Sequence, residues 1–451
     1  MTRRAPFDRI SSEDLMSLVG DTGSAPMQVG AVLTLRTGPD PDAHALFDTL
    51  AHRLHAVPRL RQRLLKVPLG CGRPVWVNDS GFDPARHLSV ALCRPPGGQE
   101  AVLQIAAEML TTPLPHDRPL WTAKLVTDTA PNQVALVFVF HHVLTDGIGG
   151  LAILAALAAA KASTQDGRGE THPLPSRLPL ALDAAGERIR GLKRLPTAVR
   201  RLAAARTELR PSGGVRPAPS SLNRPTGPRR QVAVVRADLE GIRAAARVQG
   251  ATVNDAVLTA AAASLHRLLQ ERGESVEQFV ISVPFSSRRH ADAGELGNRS
   301  GVIPVTVPAV GDRVRRLAAV AAITTAAKKN PPGASTALLG PLFRLLARVG
   351  VYRTFIDHQR MVHTFVTNVR GPEHPLTLCG WPVTGMIPLG AVTGNVTVAF
   401  AVLSYAGTLV VSLIADPDTC PDLGKLRDGL ENEFRAMTRH PPDPGGQAAE
   451  S

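Results

Sequence analysis

Seven consecutive residues carry the groups best suited to moving a proton: His141-His142-Val143-Leu144-Thr145-Asp146-Gly147. An imidazole gains and loses its proton near neutral pH, which suits it to activating a hydroxyl or an amine for nucleophilic attack. The bland use of the same residues is a pair of core histidines beside a turn-forming Asp-Gly. The neighbours decide between the two. Residues 134–140, before the motif, form an unbroken apolar run rich in β-branched and aromatic side chains, the pattern of a fully buried strand. Residues 148–160, after it, are mostly alanine, leucine, isoleucine and glycine, the pattern of a helix. Two histidines and an aspartate therefore fall on a strand-to-helix turn, where side chains leave a rigid interior, and this setting favours chemistry.

The elements that must position this turn alternate along the chain. In the first half, strand patterns at 29–35, 74–77, 120–126 and 134–140 interleave with helical patterns at 41–55, 99–110 and 148–160. Such alternation predicts α/β architecture, sheets covered by helices. A Ser-, Thr-, Pro- and Arg-rich stretch then separates a second half that restarts with a strand at 231–235 and a helix from Asp238. Thr252-Val253-Asn254-Asp255 opens a long helix with a capping residue at its start. The chain thus divides into an N-terminal lobe (1–175), a basic interdomain linker with one helix (176–230), a C-terminal lobe (231–440) and a tail (441–451) expected to be disordered. Residues 396–415 are as long and apolar as a membrane span, but Ser404-Tyr405-Ala406-Gly407-Thr408 interrupts them, and a buried hairpin is the better reading.

Composition narrows the classes. The 451 residues, 44% hydrophobic and 20% charged, suffice for two lobes with a sizeable core. Four scattered cysteines argue against a zinc site or a disulfide framework and fit a reducing, cytoplasmic compartment. The twin arginines at positions 3 and 4 have no apolar stretch behind them, so no export signal is expected. The net charge of +13 is concentrated between Glu187 and Arg230, which hold twelve Lys and Arg against two Glu. With no aromatic residue in that stretch, nucleic acid is excluded as its partner. Two readings stay open: a solvated linker, or contact of residues 188–230 with an anionic membrane or lipid-droplet surface.

The arrangement around the turn resembles the acyl-CoA-dependent acyltransferases of the chloramphenicol acetyltransferase type, and within them the bacterial wax ester synthase/diacylglycerol acyltransferases. Short blocks follow that family's order through nearly the whole chain. They include Pro26-Met27-Gln28-Val29-Gly30, Arg118-Pro119-Leu120-Trp121, Val253-Asn254-Asp255, Val283-Pro284-Phe285-Ser286-Ser287-Arg288, Leu296-Gly297-Asn298-Arg299, Thr367-Asn368-Val369-Arg370-Gly371-Pro372 and Ala415-Asp416-Pro417. Three positions depart from the family pattern: Gln28 stands where histidine is usual, Leu114-Pro115-His116-Asp117 where Leu-Asp-Arg is common, and Arg370 where proline is common. The last two put the acceptor in doubt more than the reaction.

The resemblance implies two chloramphenicol-acetyltransferase-like lobes with mixed sheets, and an active-site tunnel between them. It implies O-acyl transfer from long-chain acyl-CoA, as substrate and without a cofactor or metal, to diacylglycerol or a fatty alcohol. The alternatives are a tailoring acyltransferase for a small hydroxyl or amine acceptor and, less favoured by the intact motif, a non-catalytic lipid-binding module. His142 is expected as general base, with His141, Asp146 and Gly147 shaping the turn. Pro119, Leu120, Trp121, Asn254, Asp255, Thr367 and Asn368 are expected at the substrates, although Trp121 reads equally as a core residue and Asn254 equally as a helix N-cap. Arg288, just past an apolar strand, is expected to pair with Asp146.

Overall fold

A computed structural model describes residues 7–21, 25–39, 41–159, 175–193, 217–286, 300–329, 343 and 345–439. Arg288, Gly297, Asn298, the linker from 194 to 216 and the tail from 441 lie outside the described residues.

The described residues form fourteen strands, in chain order β1 (Gln28–Arg36), β2 (Gln62–Leu65), β3 (Val75–Asn78), β4 (Leu88–Leu92), β5 (Trp121–Ala130), β6 (Gln133–His141), β7 (Gln231–Asp238), β8 (Gln278–Ser286), β9 (Ser300–Pro308), β10 (Thr364–Arg370), β11 (Thr377–Leu378), β12 (Trp381–Leu389), β13 (Val398–Tyr405) and β14 (Thr408–Ala415). The helices used below are α1 (Ser12–Gly20), α2 (Ala43–Leu54), α3 (Gly98–Thr111), α4 (Gly147–Ala159), α5 (Arg177–Lys193) and α6 (Val253–Glu271).

Two six-stranded mixed sheets organise the molecule, in the orders β11-β12-β1-β6-β5-β4 and β7-β14-β13-β10-β8-β9. The expected α/β layering holds, and the 396–415 run is the β13–β14 hairpin, turned by Ala406 and Gly407 at φ 46° and 83°. Two positive φ values in a row are what a tight hairpin with the strands' own twist requires. No helix among the described residues is long and apolar enough to cross a membrane.

The contiguous lobes expected from the sequence need one correction. β11 and β12, drawn from the C-terminal half, belong to the first sheet, where β12 pairs antiparallel with β1 from Gly30–Leu389 to Leu35–Val383. Each lobe has its own apolar core, one around Leu35, Trp121, Phe138 and Phe140, the other around Ile242, Leu258, Phe279, Phe400 and Phe434. A third cluster joins them, with Val137, Val139 and Ile387 of the first sheet packed with Val410 of the second. The Tyr405 hydroxyl adds a polar stitch, donating to the Val383 carbonyl (2.9 Å) and accepting from the Leu376 N–H (2.8 Å).

The linker helix is not free. α5 buries Leu180 and Ala184, and Asp183 meets Arg9 at 2.7 Å, both side chains under a tenth exposed. Arg9 also donates to the carbonyls of Cys71, Arg73 and Leu180, so a cation near the N-terminus is fully paired while locking the helix to the first lobe.

Candidate active site

β6 ends at His141 opposite Gln28 of β1, so the motif emerges where the antiparallel pairing of the two central strands of the first sheet ends. The turn is held almost entirely by backbone donors. The His141 N–H donates to the Leu120 carbonyl (2.9 Å), the His142 N–H to the Met27 carbonyl (2.7 Å) and the Leu144 N–H to the His141 carbonyl (2.9 Å). The Val143 N–H donates to His141 Nδ1 at 3.0 Å. Asp146 Oδ1 accepts from the Gly149 N–H at 2.9 Å, which makes it the side-chain cap of α4.

Glycines set the clearances. A Cβ on Gly147 would lie 2.8 Å from Val369 Cγ2 of β10, so this residue lets the second lobe approach the turn. A Cβ on Gly150 would lie 2.7 Å from the Phe140 ring, so α4 can sit on the strand that precedes it only without a side chain there.

His142 is half-buried. Burial pushes its pKa below the ordinary imidazole value; a backbone hydrogen bond and the charge of Asp146 pull the other way, and His141 adds to the lowering. At neutral pH the ring is therefore the neutral form that accepts a proton. His141 is 2% exposed, and its Nε2 lies 3.2 Å from Asp21 Oδ2. Because Nδ1 accepts from Val143, the neutral ring carries its proton on Nε2 and donates it to Asp21. His116 Nε2 stands 3.9 Å from the same oxygen. Burial works against the Asp21 carboxylate, but the His141 hydrogen bond, the Met27 N–H and His116 outweigh it and hold the carboxyl below its usual range. Burial likewise lowers His116, helped by His141 and Lys66 and opposed by Asp21.

The expected substrate residues divide. Leu120 and Trp121 are almost fully buried, Trp121 donating Nε1–H to the Leu60 carbonyl (2.8 Å) and stacking on His87 with centroids 4.6 Å apart. Pro119 immediately precedes them, and the Leu120 carbonyl is what holds His141. Asp255, 2% exposed, is spent within its own lobe: it accepts from the Thr252 N–H (2.8 Å), the Thr252 hydroxyl (2.7 Å) and the Thr324 hydroxyl (2.7 Å). The N-cap of α6 is Thr252, in a capping box with Asp255, and not Asn254. Asn254 in the first turn is left to accept from Asn368 Nδ2 at 3.3 Å. Thr367 and Asn368 lie on β10 just before Val369, the residue against Gly147, so the strand that reaches the turn also carries this amide pair.

Asp21 had no signal in the sequence, since it sits 120 residues from its partner in an irregular segment after α1. His116 stood out only as a departure from a family block. Gln28, the other departure, donates Nε2–H to the Leu110 (2.8 Å) and Thr112 (3.0 Å) carbonyls at the end of α3. Among the described residues no group of three or more His, Cys, Asp or Glu side chains has the arrangement of a metal site.

Comparison with known proteins yields two family models. The wax ester synthase/diacylglycerol acyltransferase catalytic domain matches residues 10–257, and the C-terminal domain of the same family matches residues 296–438. A probable diacylglycerol O-acyltransferase of Mycobacterium tuberculosis is 29% identical over 425 residues, covering 90% of each chain. Another M. tuberculosis chain of the same enzyme name is 27% identical over 461 residues, covering 96% of this chain and 90% of that one. Among solved structures, a wax ester synthase/diacylglycerol acyltransferase from Marinobacter aquaeolei superposes with a TM-score of 0.69 at 23% identity, covering 96% of this chain and 99% of the other. The first condensation domain of a calcium-dependent antibiotic synthetase superposes at 0.62 with 19% identity, covering 97% of both chains. Both share the two-lobe arrangement of sheets described above.

Proposed function

The chain belongs to the wax ester synthase/diacylglycerol acyltransferase family, and from that premise we propose how it transfers an acyl group from acyl-CoA to the hydroxyl of diacylglycerol or of a long-chain alcohol. The observation that carries the reading is His142: a neutral, half-buried imidazole fixed by backbone hydrogen bonds where the second lobe meets the first. The ring takes the acceptor's hydroxyl proton as that oxygen attacks the thioester carbonyl. The tetrahedral intermediate then collapses, the C–S bond breaks, and the proton passes from the imidazolium to the departing CoA thiolate. Base catalysis of this kind supplies about 10²–10⁴-fold. The larger share comes from holding both substrates at the ring and stabilising the oxyanion. We assign Asn254, Thr367 and Asn368, on the facing lobe, to the thioester side, and Pro119, Leu120 and Trp121 to holding the turn from behind.

The test is purified protein given palmitoyl-CoA with dioleoylglycerol, hexadecanol or short-chain alcohols and amines, with products separated by mass. Triacylglycerol or wax ester supports the reading. Transfer to short acceptors alone overturns it in favour of a tailoring enzyme.

The long-chain acceptors reside in lipid, and the outer face of α5 suits contact with such a surface. Leu178, Leu182 and Ile189 share one stripe and are 69%, 65% and 56% exposed. Arg177 and Arg188 flank the stripe on one side and Arg190 on the other. Leu69, 93% exposed, sits on the neighbouring loop, whose Gly70 carbonyl accepts from Arg188 at 2.8 Å. An apolar stripe edged with arginine is the pattern of an interfacial helix. Binding to phosphatidylglycerol vesicles that weakens with salt and is lost in Leu178→Ser/Leu182→Ser supports it; salt-independent binding unaffected by those changes excludes it.

A further inference from the structure

A general base works only if its ring is held still, and two hydrogen bonds made by the peptide groups flanking His142 lead toward one side chain. The peptide N–H on the near side of His142 donates to the Met27 carbonyl, and the N–H on its far side, that of Val143, donates to His141 Nδ1. Follow each arm one step further. His141's Nε2–H donates to Asp21 Oδ2 at 3.2 Å, and Met27's own N–H is among the groups that hold the Asp21 carboxyl low. The two arms are of different chemistry, the backbone of one residue and an imidazole ring, and the same carboxylate interacts with both.

We infer that Asp21 is a positioning residue for His142, fixing both peptide groups that flank the base through Met27 on one side and through His141 on the other. The inference rests on the reading of His142 as the base. It assigns His141 a job distinct from proton transfer: the ring is a rigid spacer with one donor and one acceptor at opposite ends, a pairing that lysine, arginine or carboxylate side chains do not offer. It also explains why Asp21 is kept ionised inside the protein, since a charged acceptor makes each of its bonds stronger than a neutral one would. Asp21 touches no atom of the substrates in this scheme.

The two-armed arrangement makes quantitative demands. Asp21→Ala removes the end of both arms and is expected to lower kcat by about 10–100-fold, the cost of misplacing a catalytic group by a fraction of an ångström to an ångström. KM for acyl-CoA and for the acceptor stays within about twofold, because binding surfaces are untouched. Asp21→Asn keeps an oxygen to accept from His141 and recovers most of the loss. In a His141→Ala background, where one arm is already gone, Asp21→Ala costs less than in the wild type. Asp42→Ala, which deletes the exposed carboxylate capping α2 through the His44 and Ala45 N–H groups, serves as the stability control: it lowers Tm and leaves kcat unchanged.

Overturning results are equally definite. Wild-type kcat in Asp21→Ala, a loss that falls on KM, no rescue by Asn, or strict additivity with His141→Ala each removes the anchor. The imidazole nitrogen shifts provide a readout independent of turnover: the wild type is expected to show His141 protonated at Nε2, and Asp21→Ala to disturb that signal. If His142→Ala retains activity, the reading of the base fails while the His141 tautomer still decides whether the anchor exists. A wild-type His141 protonated at Nδ1 overturns the anchor itself.

Discussion

The turn at 141–147 and the amide pair Asn254–Asn368 belong to different lobes, and they are built to different rules. Around the turn, successive backbone donors are matched at 2.7–3.0 Å, the capping carboxylate is 5% exposed, and glycines allow contacts that any Cβ would block. The amide pair makes one bond of 3.3 Å, Asn368 is exposed, and the helix that carries Asn254 is capped by Thr252 instead. The chemistry of acyl transfer is the same for every acceptor, so the base gains from rigidity. Acyl chains presented with the thioester differ in length, so side chains that can turn are better suited to the thioester side proposed for Asn254 and Asn368.

The sharpest way to break this contrast is to delete the base. His142→Ala is expected to reduce turnover by about 10²–10⁴-fold while Tm barely moves, measured by single-turnover acyl transfer and calorimetry. Comparable turnover would end the assignment. Next comes clearance. Gly147→Ala places a Cβ against Val369 and is expected to lower kcat/KM by about tenfold by separating turn and strand. Val369→Ala in the same chain should restore much of it, and a failure to restore would locate the effect elsewhere. Asp255→Ala tests the facing lobe's own scaffold. It strips the Thr252 cap and leaves the Thr324 hydroxyl without its acceptor, for a loss of about 2–3 kcal/mol by denaturant titration. Asn254→Ala, one residue earlier, should change stability by no more than about 0.5 kcal/mol and shift the preference among acyl-CoA donors of different chain length a few-fold. The smallest effect is a displacement on the pH axis. Burial lowers the His142 pKa, so the base stays neutral, and kcat/KM stays level, as pH falls past the ordinary imidazole value of 6.5. Activity is lost only at lower pH, as the ring protonates. A midpoint above 6.5 would contradict a desolvated base.

Local pattern revealed what local pattern can encode. The buried strand and small-residue helix either side of the motif, the Ala406-Gly407 hairpin and the start of α6 were all legible, because burial and turn chemistry repeat within a few residues. Partners were not. Thr384 donates to the Thr34 carbonyl across 350 residues, and nothing in either strand's alternation says which sheet it will join. Asp21 and His141 share no period, and Arg9 reads as one more surface cation until Asp183 is brought to it. The start of α6 offers two good N-caps, Thr252 at its head and Asn254 as an even alternative, and only the Asp255 reciprocal bond selects Thr252.

The exchange of β12 into the first sheet has a consequence for how the protein is made. The strand that covers the open edge of β1 is the 381–389 segment, so when His141 and His142 leave the ribosome that edge is bare. Translation of the remainder occupies on the order of ten seconds or more. During that interval a long apolar strand with unpaired N–H and C=O groups is on offer to any neighbour. A nascent or truncated chain that ends before β12 therefore holds the complete motif without a finished sheet beneath it. Quality control by chaperones has a defined target in this interval, and it closes when Gly30 meets Leu389.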